Sequence, residues 1–372
     1  MTQNVFKSIF FGMLAVLLMG NGFSAQAAGP EREFVKTINR EFSTSAKGMT
    51  ALYNRNGKIV VKTWDQNKVK IDISIVVNAN NQETADKIFD RIKVNFANTS
   101  GYVKAETVIL EDKSGWNKKG CDYKINYEVW MPAGNKLDLK NKYGDNYVDK
   151  LDGKLTAEIK YGNIRAEAIN NDVDLMLGYG EASIAHAGNL FGQLSYSELQ
   201  VEEAGDIQLD TKYSELKIQQ AKSVRITSRY DDFNFGSIGE LRLQTKYADV
   251  HIKDAKSAFL TAQYTDIELG NLSNLLDADL TYGDLKISQL GRNFKEVTLA
   301  TKYADVIVHT EEGCAYQFNT TGQHSDLAVP SGATIKSKNQ NGSQKAIAGY
   351  VGNPNAAGVL KATMNYGELV IK

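Results

Sequence analysis

Tyrosine recurs along this chain with a nearly constant step, and that step restricts the possible folds more than any other feature. Tyr143, Tyr161, Tyr179, Tyr196, Tyr213, Tyr230, Tyr247, Tyr264, Tyr282 and Tyr303 are separated by 18, 18, 17, 17, 17, 17, 17, 18 and 21 residues. His324 follows after 21 more, and Tyr366 after a further 42. The surrounding decapeptides nearly repeat, as in LDTKYSELKI (209–218), LQTKYADVHI (243–252) and LATKYADVIV (299–308). Self-similarity at a fixed period is the mark of a stacked-repeat architecture.

Within each unit the apolar residues alternate with polar ones. Three residues after the tyrosine stand Leu199, Leu216, Phe233 and Val250, and five after it Val201, Ile218, Phe235 and Ile252. Before it, Ile207, Val224 and Leu241 form one column and Leu209, Ile226 and Leu243 another. Period-2 alternation means strands with one face buried, which excludes a helical repeat. Apolar positions are even-numbered before the tyrosine and odd-numbered after it, so the strand must bend there. The next residue is Gly, Ser or Ala in ten of twelve units, a size suited to the unusual backbone and close approach of a corner. Further breaks come six to seven and nine to ten residues after the tyrosine. No proline stands between Pro132 and Pro330, as uninterrupted ladders require.

These patterns predict an all-β fold: a single-stranded parallel β-solenoid (β-helix) of about twelve coils with a 17–21-residue period. Stacked at about 4.8 Å, such coils would make a rod roughly 55–60 Å long. The predicted organisation is a signal peptide (1–27), an N-terminal α+β capping region (28–133) and the repeat domain (134–372). In the capping region NGK at 56–58 reads as a turn. Ala85, Ile88, Phe89 and Ile92 mark one amphipathic helix within Gln82–Lys93, laid across the open end. Residues 331–358, rich in Gly, Asn, Ser and Ala, read as a loop insertion, and NYGELVIK as a closing strand.

Lys7, the short apolar run 9–19 and Ala25-Gln26-Ala27 form a secretory signal, so the mature chain is expected to be exported to the periplasm, outer surface or medium. No later stretch is apolar enough to span a membrane. Without Lys7 the 43 basic residues become 42, against 44 acidic ones. That balance argues against a nucleic-acid partner. Two cysteines, Cys121 and Cys314, cannot build a disulfide framework. Eleven coils would separate them, too far for an intramolecular bridge.

NGKIVVKTWDQNKVKI (56–71), YEVWMPAGNKLDLKNKYGD (127–145) and the YGN, YGE and YGD units resemble the putative-adhesin family of β-strand-repeat proteins, related to auto-transporter adhesin head domains. The resemblance implies an envelope or surface location and carries over no catalytic residue.

Two columns invite functional readings. The tyrosines, including Tyr366, could stack on sugar rings or form a ladder among themselves. Two residues after each, Asp145, Glu181, Glu198, Glu215, Asp232, Asp249, Asp266, Asp284, Asp305, Asp326 and Glu368 form an acidic column. It could be a Ca²⁺-binding edge, although the glycine-rich calcium nonapeptide is absent. Alternatively the acids accept hydrogen bonds from corner amides, offset by Lys142, Lys160, Lys212, Arg229, Lys246 and Lys302. His186, His251, His309 and His324 show no metal-ligand spacing, and no nucleophile elbow or phosphate loop occurs. Asp231-Asp232 beside Arg229 could imitate an acid cluster, but neighbours on a strand face opposite ways. The reading is a non-enzymatic, cofactor-free, adhesin-like binding protein with an unidentified protein or polysaccharide partner. The alternatives are a polysaccharide-active β-helix enzyme and an envelope-sensing component.

Overall fold

The computed structural model describes residues 32–110 and 122–372. The predicted signal segment and Cys121 lie outside these residues. The described chain is all-β apart from one ten-residue helix, Gln82–Arg91.

From Leu155 onward the tyrosine-marked segments pair in parallel and in register. Leu199 lies on Leu216 and Leu216 on Phe233, while Val201, Ile218 and Phe235 stack in the same way. Each apolar column therefore lies above its own kind, and the buried columns join one continuous core. The outward residues between them remain wet, as the alternation required.

The corner has an unexpected owner. Every tyrosine of the series, and His324, adopts the left-handed backbone region with φ between 52° and 62°. The sequence suggested the small residue that follows as the seat of the unusual backbone. Its tighter constraint is space: a Cβ on Gly144 would meet the carbonyl oxygen of Gly57 at 1.9 Å, and one on Gly162 that of Gly144 at 2.2 Å. A non-glycine residue at positive φ is costly. The corner amides nevertheless stay in the ladder: Tyr161 N donates to Gly178 O at 2.9 Å and Tyr230 N to Lys246 O at 2.9 Å.

At the N-terminal end the strands run both ways. Arg32–Ser43 pairs antiparallel with Lys68–Ala79, which pairs antiparallel with Asp122–Pro132. Asp122–Pro132 then joins Ile59–Trp64 in parallel, and Ile59–Trp64 meets the first repeats at Asn146–Val148. Asn56 occupies the NGK turn with φ 60°. The helix is capped by Asn81, whose side chain accepts from Thr84 N at 2.9 Å, and it buries Ala85, Ile88 and Phe89.

The C-terminal end departs from the sequence reading in two ways. The last strand, Gly358–Ile371, does not close the stack. It is inserted between Glu296–Lys302 and Tyr316–Ala328, parallel to both. Residues 331–358 are not simply a loop either. Thr334–Asn341 and Gln344–Val351 form a hairpin whose second strand pairs antiparallel with Tyr316–Ala328. Thr334–Asn341 is exposed on both faces, so it carries no apolar alternation. Backbone pairing rather than burial holds it, and its turn is Gly342-Ser343, with Gly342 at φ 57°.

Candidate functional site

The corner makes one outer edge of the molecule, and on it the tyrosines form a single ladder. From Tyr143 to Tyr303 successive ring centroids lie 4.8–5.1 Å apart with interplanar angles of 1–14°. Tyr366 then stacks on Tyr303 at 4.9 Å, and His324 on Tyr366 at 4.8 Å. Offset stacking at this spacing is attractive by about 0.5–1.5 kcal/mol per pair, which offsets the backbone strain. The rings are 41–51% exposed. That exposure belongs to edges and hydroxyls, because each face is covered by its neighbour. A sugar cannot stack on a face already occupied, so the ladder does not serve as an aromatic platform along its length.

The structure brings the acidic column alongside, in two modes. Four of the aspartates reach to the next repeat and accept its amide: Asp145 from Asn163 N (3.1 Å), Asp266 from Asp284 N (2.9 Å), Asp284 from Asp305 N (3.1 Å) and Asp305 from Glu368 N (2.7 Å). Asn163, the one non-acidic member, accepts from Glu181 N at 2.9 Å. Glu198 and Glu215 reach sideways instead. Glu198 accepts from Gln200 at 2.7 Å and pairs with Lys217 at 3.2 Å, and these contacts hold its carboxyl below the ordinary glutamate range. Lys217 also pairs with Glu215 and Lys345 with Asp326, so the countercharges are these lysines. Of the basic residues preceding the tyrosines, Lys142 and Lys302 lie over tyrosine rings, and Lys160 pairs with Glu158. Among the described residues no three His, Cys, Asp or Glu side chains converge as metal ligands.

Asp231 and Asp232 are not brought together. Asp232 faces out, while Asp231 occupies the small-residue corner position and is 1% exposed. Asp231 accepts from Thr211 Oγ1 at 2.6 Å and from Ser214 N at 2.7 Å. Burial pushes its carboxyl up to about 6, against the opposing pull of those hydrogen bonds. The four histidines are likewise dispersed: His186 lies 3.5 Å from Glu203, His251 3.4 Å from Glu268, and Nδ1 of His309 3.4 Å from Ile287 O. Cys314 is buried.

One feature escaped the sequence reading. At the second corner, seven to nine residues after the tyrosine, a groove of about 750 Å³ runs across six successive repeats. Behind it lie Ala187, Ala204, Ala221, Ile238 and Ala255, whose side chains are buried in the core. One wall carries His186, Glu203, Gln220, Ser237, Asp254 and Asn271, and Lys222 and Lys256 stand on the other. The signal was in the apolar column itself, which shrinks to alanine in four of the five units between Ile169 and Leu272.

The sequence model of the Toastrack DUF4097 family matches residues 171–371. Among solved structures the chain is similar to a putative lipid binding protein from Parabacteroides distasonis, at 12% identity over 90% of this chain and 96% of that one, with a TM-score of 0.27. It is also similar to a putative adhesin from the same organism, at 12% identity over 74% and 93% with a TM-score of 0.26. A putative adhesin from Bacteroides fragilis gives 14% identity over 91% and 97%, with a TM-score of 0.21. No curated protein matches the chain.

Proposed function

The chain belongs to the Toastrack DUF4097 family, and from that premise we propose that it is an exported, non-enzymatic, adhesin-like binding protein of the envelope or cell surface. In this reading residues 1–27 are a cleaved signal, residues 28–133 a cap, and residues 134–372 a β-solenoid of about twelve coils. Its partner is a surface protein or polysaccharide.

The observation that carries the reading is the in-register stacking of like residues, exemplified by Leu199, Leu216 and Phe233. Backbone ladders on both sides of each repeat make the outer surface rigid, and the same kinds of polar group recur at every step. A rigid, repeating surface binds an extended partner at many points with little ordering cost. Catalysis would instead need converging groups in a cleft. The buried acid that could invite an enzymatic reading, Asp231, is turned inward onto Thr211 and Ser214.

The test is retention of the labelled mature chain on intact cells and on isolated envelope material. Saturable retention without release of reducing sugars is the expected result. Polysaccharide cleavage, or no saturable binding to any surface fraction, would overturn it. N-terminal sequencing of the chain secreted with its own leader checks export, with a start near Ala28 expected.

A further inference from the structure

The groove at the second corner has the size that ligand sites show. Its volume of about 750 Å³ falls in the range of about 300–1,000 Å³ typical of small-molecule sites, which combine an apolar lining with a few polar groups. Here the exposed side chains are two ammonium groups on one wall and carboxylates, amides, a hydroxyl and an imidazole on the other, set over a buried column of alanine and isoleucine.

The chemistry of that wall selects the occupant. Glu203 and Asp254 accept, Gln220 and Asn271 both donate and accept, and Ser237 does either. Such a row suits a ligand whose every polar group is itself donor and acceptor, as a sugar hydroxyl is. Lys222, 3.8 Å from Asp206, and Lys256 stand opposite the two carboxylates, so both signs of charge are present and the groove favours neither a polyanion nor a polycation. The wall is also partly pre-set: Asn271 donates to Asp254 at 2.6 Å, Ser237 donates to Asp254 at 3.4 Å, and His186 lies 3.5 Å from Glu203.

Spacing separates a glycan from a peptide. The wall presents one polar side chain per repeat, about 4.8 Å apart, over roughly 24 Å. An extended peptide lying along the axis repeats its side chains on one face every ~6.7 Å and falls out of step within a few residues. The repeat of an extended, linear chain of pyranose units is close to a single step. We propose that this groove binds a linear, neutral glycan lying parallel to the stacking axis, about one sugar unit per repeat. The proposal rests on the binding function above and assigns it a ligand class and a place.

The experiment uses the full mature chain, titrated calorimetrically with neutral linear oligosaccharides of two to eight units, built from glucose, mannose, xylose and N-acetylglucosamine, and with an unstructured polar peptide. The expected result is that at least one series binds, with affinity rising up to about five or six units and then levelling, as the groove length sets. Ser237→Trp, at an exposed mid-groove position, should weaken that binding about tenfold or more, the loss of one or two hydrogen bonds or a steric block. Tyr213→Phe, on the ladder edge, should leave it unchanged. If the tryptophan variant misfolds by circular dichroism, the pair Gln220→Ala and Asn271→Ala replaces it with the same expectation. Saturable binding to cells with no oligosaccharide bound, or oligosaccharide binding untouched by the groove variants, overturns the groove assignment while leaving the binding function standing. Peptide binding blocked by Ser237→Trp, without glycan binding, overturns the ligand class. Absence of any binding removes both.

Discussion

Thr211 donates its hydroxyl hydrogen to a carboxylate oxygen of Asp231, 2.6 Å away and one repeat further along the stack. Together with the amide of Ser214 it holds a carboxyl group inside a corner where ten of the other eleven repeats place glycine, serine or alanine. Close by, the hydroxyls of Ser228 and Thr245 lie 2.6 Å apart.

The first prediction concerns pH. Burial raises the Asp231 carboxyl from 3.8 to about 6 in the folded chain. The native state therefore binds a proton more tightly than the unfolded one. Stability from this group is fully present below about pH 4 and declines as pH rises to about 6, by an amount on the order of 2–3 kcal/mol. Asp231→Ser, the residue of the two preceding repeats, should flatten the profile between pH 4 and 6 and raise the denaturation midpoint at pH 7. A wild-type midpoint that climbs through this window while the variant's profile is superimposable on it would contradict the assignment.

A second prediction separates the two costs at the tyrosine. Tyr213 has φ 52° and stacks on Tyr196 and Tyr230 at 4.8 and 4.9 Å. Tyr213→Ala removes both stacks and keeps a strained backbone, so it should cost about 2–3 kcal/mol. Tyr213→Gly loses the same stacks but relieves the strain, and should be less damaging by roughly 0.5–1 kcal/mol. Urea midpoints of the three proteins should rank tyrosine, glycine, alanine. The reverse order of the two variants would show that the ring, rather than the backbone, absorbs the whole effect.

Space behind the corner yields a third. Gly144→Ala would bring a methyl group 1.9 Å from the Gly57 carbonyl, whereas Gly313→Ala meets nothing within 4 Å and faces only a strained φ of 76°. The first should cost a few kcal/mol, because neither backbone can give way, and the second about 1 kcal/mol. Thermal midpoints measured side by side decide the comparison.

The fourth concerns the inserted last strand. Asp305 accepts from Glu368 N at 2.7 Å, and Gly358–Ile371 lies between two other strands. Deleting residues 358–372 should expose two unpaired ladder edges and drive aggregation. Loss of a terminal strand would expose only one edge and leave the protein soluble. Asp305→Ala should speed hydrogen exchange at the Glu368 amide, while Asp305→Asn, which keeps the acceptor, should not.

The stacking was legible because it depends on local alternation repeated at a fixed interval. Leu199, Leu216 and Phe233 occupy equivalent places in sequence and must bury the same face, so their superposition follows once the period is known. The corner was legible as a change of parity at Tyr143, Tyr161 and their successors. Which atom bears the strain was not. Either the tyrosine or its small neighbour could turn the chain, and the choice depends on ring stacking between segments that lie 17 or 18 residues apart.

The primary structure alone thus determined an all-β, repeating architecture, its period, its buried columns and the row of tyrosines and acids at one edge. These are consequences of side-chain polarity read along a strand. Tertiary structure decided what depends on pairing between distant segments: the place of Gly358–Ile371 inside the stack, the hairpin whose first strand is exposed, and the inward turn of Asp231. It also decided the groove, since a column of alanines records only missing volume. Whether that volume becomes core or cleft is set by how neighbouring repeats close around it.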